Sequence, residues 1–146
     1  MATAGTLASS LFNQTADLHA RHLKIIEQEG KGLVELIEKG DITSKKLIDL
    51  LSFYLDPMLE AGIDHLVLGC THYPYLIPTL KTLIPKEVTI VDCGRAVAKQ
   101  TLNILEKKTI KSRISTIGHT LFYATGEYHD LQRFIPENNT AEHVLI

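Results

Sequence analysis

Residues 64–76 read DHLVLGCTHYPYL, and this stretch decides the fold. Asp64 to Leu68 is a short, increasingly apolar run, which predicts a strand in the interior of a sheet. The run leads directly into Gly69-Cys70-Thr71-His72, before a predicted helix that extends through Leu83. We therefore expect Cys70 at the carboxyl end of a buried strand.

Short apolar runs alternate with longer stretches of helical period along the rest of the chain. This alternation is typical of parallel strands joined by crossover helices, so the predicted class is α/β, a parallel sheet flanked by helices in three layers. The longest predicted helix runs from Ser44 to Ala61, stops at Gly62, and is expected to kink or split at Pro57. The other predicted elements are strands at His22 to Gln28, Val88 to Asp92 and Leu121 to Gly126, a helical stripe from Leu33 to Gly40, a helix from Ala96 to Lys107, a loop from Lys107 to Ser115, and a short helix ending near Ile135.

The composition is that of an ordinary globular protein: 146 residues, 45% apolar, 22% charged, with a net charge of −2. No basic face and no apolar run of ~20 residues is present, so neither nucleic acid nor a membrane is an expected partner. The first ten residues, MATAGTLASS, lack the features of a signal peptide, and we expect a cytoplasmic location. The two cysteines, Cys70 and Cys93, form no C-x-x-C pair, so neither a disulfide framework nor a zinc ribbon is indicated.

Cys70 and His72 are the candidate reactive pair. Ligands of open α/β sheets collect at the carboxyl ends of strands, and an imidazole near a thiol favours the thiolate, which takes a proton or attacks carbon. In the competing interpretation Cys70 is a small buried residue, and His72 need not contact it although the two are close in sequence. A metal site is not predicted, because only one cysteine and one histidine lie near and no second ligand pair has the usual spacing.

Residues 64–76 resemble the second cysteine motif of the aspartate/glutamate racemase family, in which a strand ends in G-C-T-H-Y-P. Four further segments resemble the family in the same order: ATAGT at Ala2 to Thr6, LVELIEKG at Leu33 to Gly40, IVDCGRAV at Ile90 to Val97, and FYATG at Phe122 to Gly126. The resemblance therefore extends to about Ile135 and indicates the carboxy-terminal portion of a glutamate racemase.

The resemblance implies a cofactor-independent inversion of glutamate, in which one cysteine removes the α-proton and a second cysteine returns a proton on the opposite face. By motif, Cys70 would be the catalytic thiol on the L-glutamate side, and His72 would assist its proton transfer. Thr71 would bind the substrate through its hydroxyl and backbone groups. Neither a metal nor an organic cofactor is implied.

Three further residues receive roles from the same resemblance. Thr3 and Thr6 would hold the substrate carboxylate, although both could instead cap the first helix. Glu38 would be an acidic group that shapes the site, although it could instead be a solvated helix residue. Cys93 falls where the family tolerates several residues, and we interpret it as structural.

The family's D-S-G-x-G-G and C-N-T motifs, which carry a catalytic aspartate and the first cysteine, do not occur in this sequence. We therefore expect residues 1–91 to form the second lobe of a two-lobe racemase, residues 92–135 to be a helix and strand of the first lobe, and residues 136–146 to be a loose tail. Because one base is missing, we expect no turnover by the chain alone and an amino-terminal half as its partner. Exposed apolar faces of the tail elements predict a homo-oligomer.

The function that the resemblance implies is the supply of D-glutamate for peptidoglycan. Three alternatives remain open. The substrate could be aspartate, the chain could be a stand-alone binding or interaction module without catalysis, or Cys70 and His72 could serve a thiol hydrolase. The hydrolase is the weakest, because no third orienting group or oxyanion motif can be named.

Overall fold

The computed structural model describes residues 1–112 and 118–145, and the chain divides into two compact units, Met1–Val97 and Ala98–Ile146. The helices are α1 (Ala4–Leu7), α2 (Ser10–His19), α3 (Leu33–Glu38), α4 (Lys45–Glu60), α5 (Ile77–Leu83), α6 (Gly94–Lys107) and α7 (Tyr128–Gln132), with a 3-10 helix at Tyr73–Leu76. The strands are β1 (His65–Val67), β2 (Thr89–Val91), β3 (Phe122–Ala124) and β4 (Ala141–His143). Within the described ranges, no helix is long and apolar enough to cross a membrane.

The sheet of the first unit is parallel. Its β1–β2 register pairs His65 with Thr89, Leu66 with Ile90 and Val67 with Val91. The ladder extends one step further, because the Leu68 N–H donates to the carbonyl of Val91 at 2.8 Å. On the other side of β1, Ala2 forms parallel bridges with Gly69 and with Glu29. Neighbouring segments therefore run in the order Glu29, Ala2, β1, β2, and the parallel pairing with crossover helices confirms the predicted α/β class.

The core of the first unit covers one face of β1. Leu66 and Leu68 are 0% and 2% exposed, whereas Val67, which points to the opposite face, is 54% exposed. The other large side chains that are fully buried are Leu33, Ile37, Leu47, Leu51, Leu55, Tyr73, Leu76 and Leu80. β1 is therefore an interior strand of the sheet, as predicted, because its segment pairs with a neighbour on each side, but only one of its faces is buried.

The longest helix, α4, matches its predicted bounds to within one residue at each end. The Ser44 hydroxyl accepts a hydrogen bond from the Leu47 N–H at 3.2 Å, and Gly62, with a φ of 76°, follows the last turn. Pro57 lies inside the helix and does not split it. Pro57 has no N–H to donate to the Phe53 carbonyl, and both residues are exposed.

The predicted strand from His22 to Gln28 is wrong. Ladder bonds begin only at its end, where the Ala2 N–H donates to the carbonyl of Gln28 at 2.9 Å. Leu23 and Ile25 are 59% and 46% exposed, so their alternation with polar residues corresponds to no buried face. Apolar alternation predicts a strand only where a core covers one of its faces.

The second unit contains the parallel pair β3 and β4, whose register pairs Phe122 with Ala141, Tyr123 with Glu142 and Ala124 with His143. The side chain of Gln132 in α7 stabilises the segment that leads into β4, since its Nε2 donates to the Asn139 carbonyl at 2.9 Å and its Oε1 accepts from the Ala141 N–H at 3.0 Å. β3 lies within the strand predicted from Leu121, whereas β4 lies in the predicted loose tail. Of the loop predicted from Lys107 to Ser115, residues 113–115 lie outside the described residues.

Candidate active site

The carboxyl ends of neighbouring segments bring Thr3, Cys70 and Cys93 to one edge of the sheet. Gly69 pairs with Ala2, so Thr3 and Cys70 are the next residues on two adjacent parallel segments. Cys93 lies two residues past the end of β2, the strand on the other side of β1. This edge is where ligands of α/β sheets bind, because the loops that follow the strands converge there.

The glycine of the motif permits the close pairing beside Cys70. A Cβ on Gly69 would lie 2.8 Å from the Cβ of Ala2, well inside the ~3.5–4.0 Å at which carbon atoms pack. Any larger residue at position 69 would push the segment that carries Thr3 away from β1.

A cleft of about 490 Å³ opens at this edge. Its lining comes from the ends of β1 and β2 and the first turn of α6: Val67, Leu68, Gly69, Cys70, Thr71, Val91, Asp92, Cys93 and Ala96. The volume falls within the ~300–1,000 Å³ typical of small-molecule sites. Two of the predicted site residues, Cys70 and Thr71, therefore line this cleft.

The side chains of Cys70, His72 and Glu38 form a chain of contacts. Sγ of Cys70 lies 4.0 Å from Nδ1 of His72, and Nε2 of His72 lies 3.4 Å from Oε1 of Glu38. With the ring proton on Nε2, the imidazole donates to the carboxylate and offers Nδ1 to the thiol as a proton acceptor. Three of the predicted site residues are thus brought together in an arrangement suited to moving a proton to and from sulfur.

Thr3 and Thr6 meet at the start of α1. The Thr3 hydroxyl accepts a hydrogen bond from the Thr6 N–H at 3.3 Å, and the two Oγ1 atoms are 3.0 Å apart. Thr3 is therefore the N-cap of α1, which is the structural alternative stated for it from sequence. Both side chains are half-buried, and their predicted role in holding a carboxylate stays a prediction.

Two tyrosines fix the loop that pairs with Ala2. The Tyr73 hydroxyl donates to the Gly30 carbonyl at 3.1 Å, and the Tyr54 hydroxyl donates to the Lys31 carbonyl at 2.8 Å. Burial raises the pKa of the Tyr73 phenol well above its ordinary range. Burial also raises the pKa of Tyr54, and the negative charge of Glu29 adds to that shift. Sequence patterns predict Tyr73 only as the start of the next helix, and its contact with Gly30 is not visible in them.

Cys93 and Asp92 also belong to the cleft, and sequence patterns do not assign them a site role. Cys93 is exposed and lines the cleft together with Cys70. The Asp92 carboxylate accepts a hydrogen bond from the Gly94 N–H at 2.8 Å, where α6 begins. The signal that would have located both residues is the β1–β2 register. Among residues 1–112 and 118–145, no cluster of three or more histidine, cysteine or acidic side chains is arranged to hold a metal ion.

The fold and the site together define an α/β protein in which a thiol, an imidazole and a carboxylate form a row of contacts at the carboxyl edge of a parallel sheet. No protein-family model matches the chain. The chain is 40% identical over 136 residues to a glutamate racemase from Pseudomonas putida, an alignment that covers 93% of this chain and 51% of that protein.

Solved structures give the same result. A glutamate racemase isoform from Bacillus anthracis superposes with a TM-score of 0.84 at 25% identity, over 99% of this chain and 56% of that one. Escherichia coli glutamate racemase, in complex with L-glutamate and an activator, superposes with a TM-score of 0.75 at 27% identity, over 99% and 57%. In sequence and in fold the chain is similar to glutamate racemases, and it spans about half the length of the curated relatives it matches.

Proposed function

We propose that the chain supplies one half of the active site of a glutamate racemase, with Cys70 as the thiol that exchanges the α-proton of L-glutamate. The observation that carries this proposal is the contact of Cys70 with His72, whose ring also contacts Glu38, at the carboxyl edge of the sheet. The similarity of the chain to glutamate racemases supports the same proposal. The chemistry needs a base at the α-carbon, and a thiolate beside a proton acceptor provides one.

In the proposed reaction the Cys70 thiolate removes the α-proton and becomes a thiol, while a second acid delivers a proton to the opposite face of the carbon. In the reverse direction Cys70 donates its proton and is left as the thiolate. His72 assists by exchanging a proton with Sγ through Nδ1, and Glu38 holds the ring so that Nδ1 faces the sulfur. The second acid is assigned to an amino-terminal half, which makes that half the partner of this chain.

Substrate contacts are assigned to the hydroxyls at the same edge. Thr71 lines the cleft, and Thr3 and Thr6 lie on the adjacent segment, so all three would hydrogen-bond the charged groups of glutamate. No metal or organic cofactor is part of the proposal. We place the reaction in the cytoplasm, because a thiol base has to stay reduced, and assign D-glutamate for peptidoglycan as its product.

The assignment of residues 1–91 to the second lobe, of 92–135 to the first lobe and of 136–146 to a tail remains part of the proposal. The association of copies of the chain into a homo-oligomer is also part of the proposal. Its support is that no residue of α6 is buried, and that Val97, Leu102 and Ile104 of this helix are 58%, 43% and 42% exposed. Apolar side chains at this density favour a contact with another polypeptide.

The test is to produce the chain together with the amino-terminal half of the Pseudomonas putida relative and to follow glutamate inversion by circular dichroism. We call the complex of the two halves the reconstituted protein. It should racemise glutamate in both directions, and Cys70→Ser should abolish inversion both ways because a hydroxyl is a far weaker acid than a thiol. Lys46→Ala, an exposed change on α4 outside the cleft, should leave the rate unaltered. Normal racemisation by the Cys70→Ser protein would contradict the assignment.

The substrate is tested in parallel. Aspartate supplied in place of glutamate should show no inversion by the reconstituted protein, and rapid inversion of aspartate would move the assignment to that amino acid. Isothermal titration of the chain alone with L- and D-glutamate should show weak binding without turnover. Racemisation by the chain alone would contradict the proposed division of the two bases between two halves.

A further inference from the structure

Both cysteines of the chain line the same cleft, and each follows one of the two paired strands β1 and β2. The last bond of the β1–β2 ladder joins the Leu68 N–H to the Val91 carbonyl at 2.8 Å. Because the register pairs Val67 with Val91, Cys93 lies opposite Gly69, and Cys70 is one residue further along its own segment. An offset of one residue between strands about 4.8 Å apart corresponds to a Cα separation of about 6 Å, and a disulfide spans Cα atoms about 4.4–6.8 Å apart. The spacing extrapolated from the ladder is therefore compatible with a disulfide.

The two thiols differ in exposure. Cys93 is exposed, whereas Cys70 is half-buried and has Nδ1 of His72 at 4.0 Å. An exposed thiol meets a soluble reagent first, and a thiol with a proton acceptor beside it is suited to attack second. Each cysteine lies in a bend just beyond the last bond of the β1–β2 ladder.

We propose that Cys70 and Cys93 form a thiol–disulfide exchange site that reacts with a low-molecular-weight disulfide, such as glutathione disulfide, to close an intramolecular bond. In the first step the Cys93 thiolate attacks one sulfur of the reagent, which forms a mixed disulfide and expels one glutathione thiolate. In the second step the Cys70 thiolate attacks Sγ of Cys93 and expels the other glutathione thiolate. The two cysteine protons end on the two released thiols, so the cysteines are oxidised by two electrons and the reagent is reduced by two.

The disulfide would prevent Cys70 from acting as a base or an acid in the cleft. A sulfur in a disulfide neither accepts nor donates a proton, and the new bond crosses the space that a small ligand would occupy. The exchange itself does not rest on the proposed function, because it is measured on the sulfur atoms and not through racemisation.

The test uses the full chain in buffers of increasing glutathione disulfide, followed by acid quenching and intact mass measurement. The expected product is a monomer lighter by two hydrogens, whose proteolytic map joins the peptides that contain Cys70 and Cys93. Closure of the mixed disulfide should be first order and independent of protein concentration, since effective concentrations within one chain reach about millimolar or more. The product should return to two free thiols on addition of dithiothreitol.

Two variants keep the result interpretable. Cys93→Ser should accumulate a single glutathione adduct, or none, and no internal bridge. The double variant Cys93→Ser, Lys46→Cys has the same number of thiols, but one now lies on α4 outside the cleft, so it should form separate adducts without a bridge. Glutathione adducts on both cysteines of the unaltered chain, with no bridged monomer, would overturn the proposal. So would bridging only between two chains.

Discussion

Oε1 of Glu38 lies 3.4 Å from Nε2 of His72, and the two side chains are 45% and 33% exposed. A contact between an imidazole and a carboxylate that is open to water to this degree contributes about 1 kcal/mol or less. The contact therefore orients the imidazole more than it alters the charge balance of the site. The proton chemistry at Sγ of Cys70 should depend strongly on His72 and only modestly on Glu38.

The first prediction concerns Glu38→Gln in the reconstituted protein. The amide keeps an acceptor for the His72 Nε2–H but loses the charge, so kcat should fall about 5-fold with KM unchanged, which corresponds to about 1 kcal/mol. His72→Gln removes the proton acceptor and should cost roughly 100-fold or more. In the His72→Gln protein, Glu38→Gln should have no further effect on kcat. An equal additional loss there would show that Glu38 acts on the substrate and not through the ring.

The second prediction separates capping from substrate binding at Thr3. Thr3→Ala removes the acceptor for the Thr6 N–H and should lower the free energy of unfolding of the chain by about 1 kcal/mol. If the hydroxyl also holds the substrate, KM for glutamate in the reconstituted protein should rise about 10-fold, the equivalent of one hydrogen bond to a charged group. Thr3→Ser retains the hydroxyl and should restore both quantities. A stability loss without a change in KM would leave Thr3 as a cap alone.

The sequence was sufficient for features that local chemistry controls. The apolar run before Gly69 predicts β1 and the position of Cys70 at its end, and the Ser44 cap with Gly62 predicts the bounds of α4. It was insufficient where the outcome depends on distant packing. Leu23 and Ile25 have strand periodicity but no core to cover them.

Contacts between elements were also beyond local patterns. The Glu38–His72 contact requires the end of α3 to reach the turn after β1, and no spacing rule connects residues 34 positions apart. The position of Cys93 depends on the register that pairs Val67 with Val91, which puts Cys93 opposite Gly69, the residue before Cys70. The family resemblance named Glu38 and His72 separately, and the structure supplied the distance between their side chains.

The third prediction concerns the close approach of Tyr73 to Gly30. A Cβ at position 30 would meet the Tyr73 hydroxyl and would lie 2.7 Å from Cδ1 of Leu33. Gly30→Ala should therefore lower the free energy of unfolding by about 1–3 kcal/mol, as overpacking does in a buried site. Gly5→Ala, where the added methyl would have no neighbour within 4 Å, should be neutral or slightly stabilising.

A double-mutant cycle then assigns the cause. Tyr73→Phe removes the atom that the new methyl would strike first, so Gly30→Ala should cost less in the Tyr73→Phe chain than in the unaltered chain. Urea unfolding followed by circular dichroism gives the four free energies. Strictly additive effects would show that the hydroxyl is not what limits the space at Gly30.

The last prediction is the alkaline stability that follows from the raised pKa of Tyr73. In the unfolded chain its phenol ionises near pH 10, whereas in the folded chain the proton is retained to a higher pH. Below about pH 10 both states are protonated and the full contribution of the Tyr73–Gly30 hydrogen bond, about 1 kcal/mol, is present. Above about pH 10 only the unfolded state loses the proton, so stability should fall by about 1.4 kcal/mol per pH unit from this group.

Tyr73→Phe lacks this ionisation and provides the comparison. The unaltered chain should be more stable than the Tyr73→Phe chain at about pH 8, and the difference should vanish or reverse by about pH 11. The raised pKa of Tyr54 and the exposed tyrosines affect both proteins alike, so they cancel in the difference. The measurement is the urea midpoint at several pH values with a reducing agent present. Parallel profiles for the two proteins up to about pH 11 would mean that Tyr73 ionises as readily folded as unfolded, and that its hydroxyl is not buried against Gly30.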